Sequence, residues 1–262
     1  MTRLQIVIGL ATLTTAVGAC AKEVPVVDVK GDCAVAYEGE VCTWAMMQDT
    51  TVLEIGLKVP VARIQNAPPE APMEWPPVAA ATLAFPKAAQ AQTGLTEMTM
   101  YWEAQGHPPA PYLTPHFDFH FYLIPPSEVA TIDCLDESKP PVLPPGYSLP
   151  DMDLPPAEAQ MIGVSTLVGV CVPQMGMHSM LTSELEGTDL FRGTMIVGYY
   201  QGKAIFIEPM LSQALLMEKQ SFDLAIPEVP GLNQAHPRAF RAEYDPEHDA
   251  YNFVFTDFAP GA

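Results

Sequence analysis

Two histidines and an aspartate alternate with three phenylalanines in the segment PHFDFHFY, residues 115–122. The polar residues are His116, Asp118 and His120, and they recur with a period of two. In a β-strand this period places the phenyl rings on one face and the imidazoles with the carboxylate on the other. Imidazole and carboxylate are ligands of zinc, manganese and non-haem iron. The segment therefore predicts a strand with one solvent-facing side that carries metal ligands.

A helix is the alternative interpretation of this segment. Thr114 and Pro115 suit the N-cap and first positions of a helix, which would place His116 and His120 at i and i+4, as in metalloprotease helices. The glutamate that follows the first histidine in that motif is Phe117 here. The alternation of aromatic residues favours the strand.

A strand can supply only part of a metal site. Residues two apart have Cα atoms about 6.6 Å apart, but His116 and His120 would be about 13 Å apart unless the strand is bulged or strongly twisted. His178, in VPQMGMHSM, and Glu208, in IFIEPM, follow or end other predicted strands. We therefore predict that His116, His120, His178 and Glu208 bind one ion, with Asp118 orienting a ligand or accepting a proton near a metal-bound water.

Each of these residues also has a simpler interpretation. His178 alone can be a loop histidine with a structural hydrogen bond, and Glu208 alone a charge at a strand end. His107, in GHPPAP, is interpreted as a loop histidine, with a supporting role at the site as the alternative. Three methionines near His178 raise copper as a competing ion, since thioethers suit Cu(I), but 14 methionines in the chain favour core filling. These three are Met175, Met177 and Met180.

The segments that must position these residues are mostly strands. Predicted strands, rich in β-branched and aromatic residues, are Thr51–Val59, Leu95–Ala104, Met161–Val172, Thr194–Met210 with a turn at 201–202, and a hairpin over 238–258. Helical composition is confined to Met210–Gln220, and proline-rich loops lie near 59–86 and 139–156. We predict a mainly β fold, an antiparallel sandwich or barrel with one short helix and long proline-rich loops.

The N-terminus has the pattern of a signal peptide over residues 1–19, with Arg3 followed by an uncharged apolar run. The run ends in VGAC, which resembles a bacterial lipobox with Cys20 as the acylated residue; a signal cleaved without acylation is the alternative. Ala21 is not the aspartate that, by resemblance to enterobacterial lipoproteins, retains such proteins at the inner membrane. We expect one β-rich domain over 20–262, lipid-anchored at the periplasmic face of the outer membrane or secreted.

Four further cysteines are available for disulfides in such an oxidising compartment. The stretch CAVAYEGEVC favours a hairpin closed by Cys33–Cys42, which leaves Cys134–Cys171. A four-cysteine zinc site is the alternative, but the chain contains no C-x-x-C pair.

The charge and the motifs of the sequence exclude several classes of partner. With 12 Lys+Arg against 31 Asp+Glu the formal charge is −19, which disfavours nucleic acid and anionic lipid surfaces. The expected membrane contact is the N-terminal lipid. Without a G-x-S-x-G, P-loop or G-x-G-x-x-G motif, serine-hydrolase and nucleotide chemistry are set aside. No motif names a small-molecule substrate, and the composition is compatible with a homo-oligomer.

Three segments, residues 106–122, 172–180 and 198–210, resemble a family of secreted or lipid-anchored bacterial proteins marked by the PHFDFHFY strand. The resemblance covers roughly 95–222 and implies an extracytoplasmic β domain without an assigned activity. A weaker resemblance is to cupins, which carry two histidines on one strand, a glutamate and a later histidine. Here the cupin H-x-H pair is replaced by His116-Phe117-Asp118-Phe119-His120.

Three hypotheses follow. The first is an extracytoplasmic lipoprotein with a mononuclear site for zinc, manganese or iron, and copper as the less favoured ion. The second is a metal-dependent enzyme, either cupin-like or hydrolytic. The third is a structural envelope protein without metal, in which the polar strand residues are hydrogen-bonded within the sheet.

Overall fold

The computed structural model describes residues 24–71, 74–232 and 235–259. The predicted signal peptide, residues 1–19, and the predicted lipidation site, Cys20, lie outside these ranges. None of the helices within them has the length and apolar character needed to cross a membrane.

Two large antiparallel sheets form a β-sandwich, and strands are numbered in chain order. The six-stranded sheet has the order β1 (Val26–Ala36), β2 (Gly39–Gln48), β3 (Thr51–Pro60), β15 (Ala250–Thr256), β14 (Ala239–Asp245), β13 (Phe222–Ala225). The seven-stranded sheet has the order β4 (Ala81–Ala84), β5 (Glu97–Glu103), β6 (His116–Tyr122), β12 (Lys203–Ser212), β11 (Gly193–Tyr200), β10 (Met177–Leu181), β7 (Tyr147–Ser148). A small pair comprises β8 (Met152–Asp153) and β9 (Thr166–Leu167).

The main core lies between the two large sheets. Phe119 of β6 packs against Phe253 with ring centroids 4.9 Å apart, and Phe121 packs against Phe255 at 4.6 Å. A second, smaller cluster that includes Tyr122 lies on the opposite, outer face of the seven-stranded sheet. The sheet therefore has apolar packing on both sides, and the predicted antiparallel β-sandwich is confirmed.

Six short α helices, not one, occur in the described ranges. They are α1 (Val61–Gln65), α2 (Lys87–Thr93), α3 (Pro126–Val129), α4 (Pro156–Ile162), α5 (Thr182–Leu185) and α6 (Gln213–Leu216). Prolines stand at the N-cap of four of them, α1 to α4. A proline's fixed φ and missing N–H are compatible with a helix start. The proline-rich stretches are therefore not loops throughout. Within them, β4 and β7 are the short edge strands of the seven-stranded sheet, and β8 pairs with β9.

Two segment predictions are wrong in detail. The stretch Met161–Val172 is not one strand. It contains the end of α4, the two-residue β9 and a 3-10 turn at Val168–Val170. The helix ends at Gly163, which has φ 90°. In the predicted helix Met210–Gln220, the first three residues instead extend β12, where they pair with β6. Only α6 is helical there, and the Ser212 hydroxyl accepts a hydrogen bond from the Leu215 N–H at its start.

Both cysteine pairs favoured by the spacing are present. Cys33–Cys42 joins β1 to β2, whose register places the two residues opposite each other. Cys134–Cys171 joins the segment that follows β6 to the residues just before β10. The second bond therefore fixes a loop next to the strand that carries His178.

Candidate metal centre

The outer face of the seven-stranded sheet carries the candidate site. Every residue of β6 is buried. Its phenylalanines face the six-stranded sheet, whereas the registers with β5 and β12 place His116, Asp118 and His120 on the outer face. The predicted solvent-facing side is wrong, because the loops over this face leave even Asp118 only 5% exposed. The polar side chains are therefore enclosed.

Three of the four predicted ligands meet on this face. The β6–β12 register places Glu208 opposite His120, and His178 approaches from β10, two strands beyond β12. The Nε2 atoms of His120 and His178 are 3.3 Å apart. Glu208 Oε2 lies 3.5 Å from His120 Nε2 and 3.9 Å from His178 Nε2.

These separations fit the ligands of a single ion. Zinc bonds of about 2.0–2.1 Å at tetrahedral angles place neighbouring ligand atoms about 3.4 Å apart. Glu208 Oε2 is buried and makes no hydrogen bond to any described residue. Two imidazoles and one carboxylate also leave at least one coordination position without a protein ligand.

Gly198 allows the two imidazoles to share one packing partner. It pairs with His178 across β10 and β11, and a Cβ at this position would lie 1.9 Å from the Phe206 ring. The Phe206 ring occupies that space, with its centroid 4.6 Å from the His120 ring and 5.2 Å from the His178 ring. Packing against Phe206 thus holds both rings on the outer face.

A backbone hydrogen bond fixes which nitrogen of His178 faces the site. His178 Nδ1 donates to the Val170 carbonyl at 2.9 Å, which leaves a lone pair on Nε2 when the ring is neutral. Val170 has φ 50°, a strained conformation for a β-branched residue, and it precedes the disulfide-bonded Cys171. His120 has no equivalent bond to a described residue, since its Nδ1 is buried without a partner.

The pKa values show that this group disfavours charge in the absence of a cation. Burial lowers the pKa of His120 to about 3, helped by His178, and burial lowers the pKa of His178 to about 4. Burial raises the pKa of Glu208 well above its usual range, and the charges of Asp118 and Glu103 raise it further. A divalent cation would favour the carboxylate and release its proton.

His116 does not join these three residues. Because β6 pairs with β5 in unbroken register, the strand has no bulge that would bring its first histidine to the third. His116 Nε2 instead lies 3.1 Å from Asp118 Oδ1, and His107 Nε2 lies 3.5 Å from Asp118 Oδ2. The predicted four-ligand set is therefore divided between two groups on one face.

His107 reaches the second group through the backbone at Gly106. Gly106 has φ 68°, and a Cβ there would lie 2.2 Å from the Tyr112 carbonyl oxygen. Only glycine suits this close approach, which turns the loop back towards β6 and places the His107 ring 4.8 Å from the His116 ring. His107 lies in a loop, as expected, but its half-buried ring is close to His116 and Asp118, which supports the alternative of a supporting role at the site.

The charges of the second group, His107, His116 and Asp118, interact strongly. Burial disfavours a charge on His107, but its hydrogen bond with Asp118 and the charge of Asp118 outweigh that cost and raise the pKa of His107 to about 9. Burial also disfavours the Asp118 carboxylate, but His116 and His107 hold the pKa of Asp118 far below its usual range. This carboxylate therefore stays ionised at neutral pH.

One cavity of about 440 Å³ lies over both groups. His107, Asp118, His120, His178 and Glu208 all contribute to its lining. Its other walls are largely apolar and include Trp75, Trp102, Met152, Leu154, Ile162 and Leu167. Of the methionines near His178, Met175 and Met180 line this cavity, whereas Met177 packs in the core between the sheets. A small molecule can therefore reach the candidate ligands.

No protein-family model matches this chain, and neither the search of curated proteins nor the search of solved structures finds a similar one. What the structure itself shows is a β-sandwich with buried histidine and carboxylate groups that can hold a metal ion.

Proposed function

We propose that this chain is an extracytoplasmic, lipid-anchored protein that binds a divalent metal ion through His120, His178 and Glu208. The observation that carries the proposal is the convergence of three buried ligand atoms within 3.3–3.9 Å of one another. A buried carboxylate without a hydrogen-bond partner is costly unless a cation lies beside it.

The ligand types favour zinc, manganese or iron. Imidazole suits zinc and iron, and carboxylate suits manganese, whereas Cu(I) prefers sulfur ligands. His178 has the backbone hydrogen bond that metal-bound histidines usually make through their second nitrogen. The two disulfides agree with an oxidising compartment outside the cytoplasm. The lipid anchor and the periplasmic face of the outer membrane rest on the VGAC sequence that ends at Cys20.

A metal-dependent enzyme is the second candidate function. The cavity above the ligands and the coordination position that they leave free favour it, because catalytic zinc sites keep one position open whereas structural sites are closed. In such an enzyme a bound ion would activate water or polarise a carbonyl. Asp118, which is ionised and lines the same cavity, would orient the substrate or the attacking water.

Metal analysis of the full-length protein, purified without a histidine tag, tests the proposal. We expect bound metal in stoichiometric amounts, and we expect His178→Ala and Glu208→Gln to weaken binding at this site by more than about 100-fold. The matched control is His248→Ala, since His248 is exposed in the turn between β14 and β15. Wild-type protein without metal affinity, or metal retained at full affinity in His178→Ala, would overturn the proposal.

The enzyme candidate has its own measurement. Cobalt-substituted protein should change its visible spectrum when azide is added, because azide can occupy an open coordination position. An unchanged spectrum, with cobalt still bound, would favour metal binding without catalysis.

A further inference from the structure

We infer that the outer face holds a second metal ion, bound by His107, His116 and Asp118, so that the cavity contains a two-metal centre. The inference extends the proposed function from one ion to two and rests on it for the first ion. The second group has the same size and composition as the first: two imidazoles and one carboxylate whose ligand atoms all lie within 4.8 Å of one another.

The backbone fixes the direction of both imidazoles in this group. His116 Nδ1 lies 2.7 Å from the Thr114 carbonyl, and His107 Nδ1 lies 2.8 Å from the Pro108 carbonyl. A carbonyl can only accept, so each Nδ1 carries the hydrogen and each neutral ring has its lone pair on Nε2. The Nε2 atoms of His107 and His116 lie 3.5 and 3.1 Å from the carboxylate oxygens of Asp118. In metal-free protein a proton on His107 Nε2 offsets the charge of Asp118, and a bound metal ion would displace that proton.

Between His116 and Asp118, hydrogen-bond geometry favours a metal ion over a proton. His116 Nε2 and Asp118 Oδ1 are 3.1 Å apart and fully enclosed, yet they are not aligned for a hydrogen bond, and neither atom has another partner among the described residues. Native proteins rarely leave two such atoms unpaired side by side. Ligand atoms of one ion approach this closely without pointing at each other, because both point at the ion.

The charge of the cavity supports the same conclusion. None of the described residues that line it is a lysine or an arginine, whereas five of them carry carboxylates. These are Glu74, Glu103, Asp118, Glu158 and Glu208. Glu103 is also the register partner of His116 and therefore adds a carboxylate to the same face of the sheet. A cavity whose described lining has five carboxyl groups and no lysine or arginine attracts cations in preference to anions.

The two groups are neighbours on one face of the sheet and line the same cavity. Asp118 and His120 are two residues apart on one face of β6, so their Cα atoms are about 6.6 Å apart. Metal pairs in hydrolytic two-metal sites are about 3.5–4 Å apart, with side chains converging from neighbouring strands or helices. Here β6 supplies ligands to both positions, and His107, His178 and Glu208 complete them from three other segments.

The experiment is a titration of metal-stripped, full-length protein with Mn²⁺ and, separately, with Zn²⁺, with bound metal counted by elemental analysis. We expect two equivalents for the wild type and for the His248→Ala control. His107→Gln should remove one equivalent and keep the other, and His178→Ala should do the same at the opposite position. Combining both substitutions should remove both equivalents.

His107→Gln is the main variant because the His107 side chain is 32% exposed, so its replacement leaves the core intact. His116→Ala serves as a second variant, provided that its circular dichroism shows a folded protein. One equivalent in the wild type, lost in His178→Ala but kept in His107→Gln, would overturn the inference and leave the proposed function standing. Two equivalents retained in His107→Gln would also overturn it, and no metal in any protein would end both proposals.

Discussion

The two faces of β6 are equally buried but opposite in chemistry. On the inner face, Phe119 and Phe121 pack against aromatic rings of the six-stranded sheet at 4.9 and 4.6 Å. The outer face of the same strand carries the alternating residues His116, Asp118 and His120, which are enclosed by loops. Each of them has a buried polar atom without a hydrogen-bond partner in the described part of the chain. Burial alone therefore does not determine what a face contributes to the protein.

We infer that the inner face of β6 stabilises the fold and that the outer face serves binding. A buried phenylalanine contributes about 1.5–3 kcal/mol to folding. A buried polar atom without a partner costs about 1–3 kcal/mol. The inner face therefore offsets the cost of the outer face, and a cation bound to the outer face would recover part of that cost. Substitutions on the two faces should have separable effects.

The largest expected effect is on the inner face. Phe119→Ala should lower the free energy of unfolding by about 3–5 kcal/mol, because it removes a fully buried ring and leaves a cavity. Urea unfolding monitored by tryptophan fluorescence measures this loss. The metal bound per folded molecule should not change, since Phe119 points away from both ligand groups.

Phe119→Leu is the matched control and should lose much less stability, because the leucine fills most of the volume. If Phe119→Ala remained folded but lost its metal, the two faces would be coupled, and the division between stability and binding would fail.

A smaller effect of opposite sign is expected on the outer face. In metal-free protein, Glu208→Gln should raise the free energy of unfolding at pH 8 by about 1–3 kcal/mol. The pKa of Glu208 is raised in the folded state. The folded protein therefore keeps a proton that the unfolded chain releases above about pH 4.3, so wild-type stability falls as pH rises above that value. The advantage of the variant should grow with pH and vanish near pH 4.

Urea unfolding of both proteins between pH 4 and pH 8 checks this prediction, with Glu247→Gln in an exposed turn as control. His120 and His178 have lowered pKa values of about 3 and 4, so their stabilisation is lost as pH falls below about 6.5. Wild type and variant share that loss, so it cancels in the difference between their free energies of unfolding. Excess Mn²⁺ should reverse the order of stability, and parallel pH profiles without metal would refute the assigned cost of Glu208.

The sequence predicted much of the fold and the ligand types of the site. Strict alternation from His116 to Tyr122 identified β6, and the turn at 201–202 identified the β11–β12 hairpin that carries Glu208. Local periodicity is sufficient for such elements, because each strand shows its two faces in its own residues. The positions of His178 and Glu208 beside His120 were hypotheses that the strand registers support.

The division into two groups required the structure. Sequence spacing showed that His116 and His120 reach one ion only on a distorted strand, but only the unbroken register shows that the strand is regular. The sequence offered a supporting role for His107 only as an alternative, because its position depends on the contact between Gly106 and the Tyr112 carbonyl, which no local pattern reveals. The enclosure of the outer face likewise depends on distant segments, so alternation of polar and apolar residues was mistaken for exposure.

The smallest expected effect distinguishes the two faces through a matched pair of methionines. Met180 lines the cavity on the outer face, and Met177, three residues earlier, packs between the sheets. Replacing either by leucine conserves volume and should cost less than about 1.5 kcal/mol of stability. If nitrogen and oxygen alone bind the ion, Met180→Leu and Met177→Leu should both keep Mn²⁺ and Cu(I) affinities within about twofold of the wild type, measured by competition with a chromogenic chelator. A loss of Cu(I) affinity confined to Met180→Leu would make its thioether a ligand, and the chemistry of the outer face would then be that of a copper site.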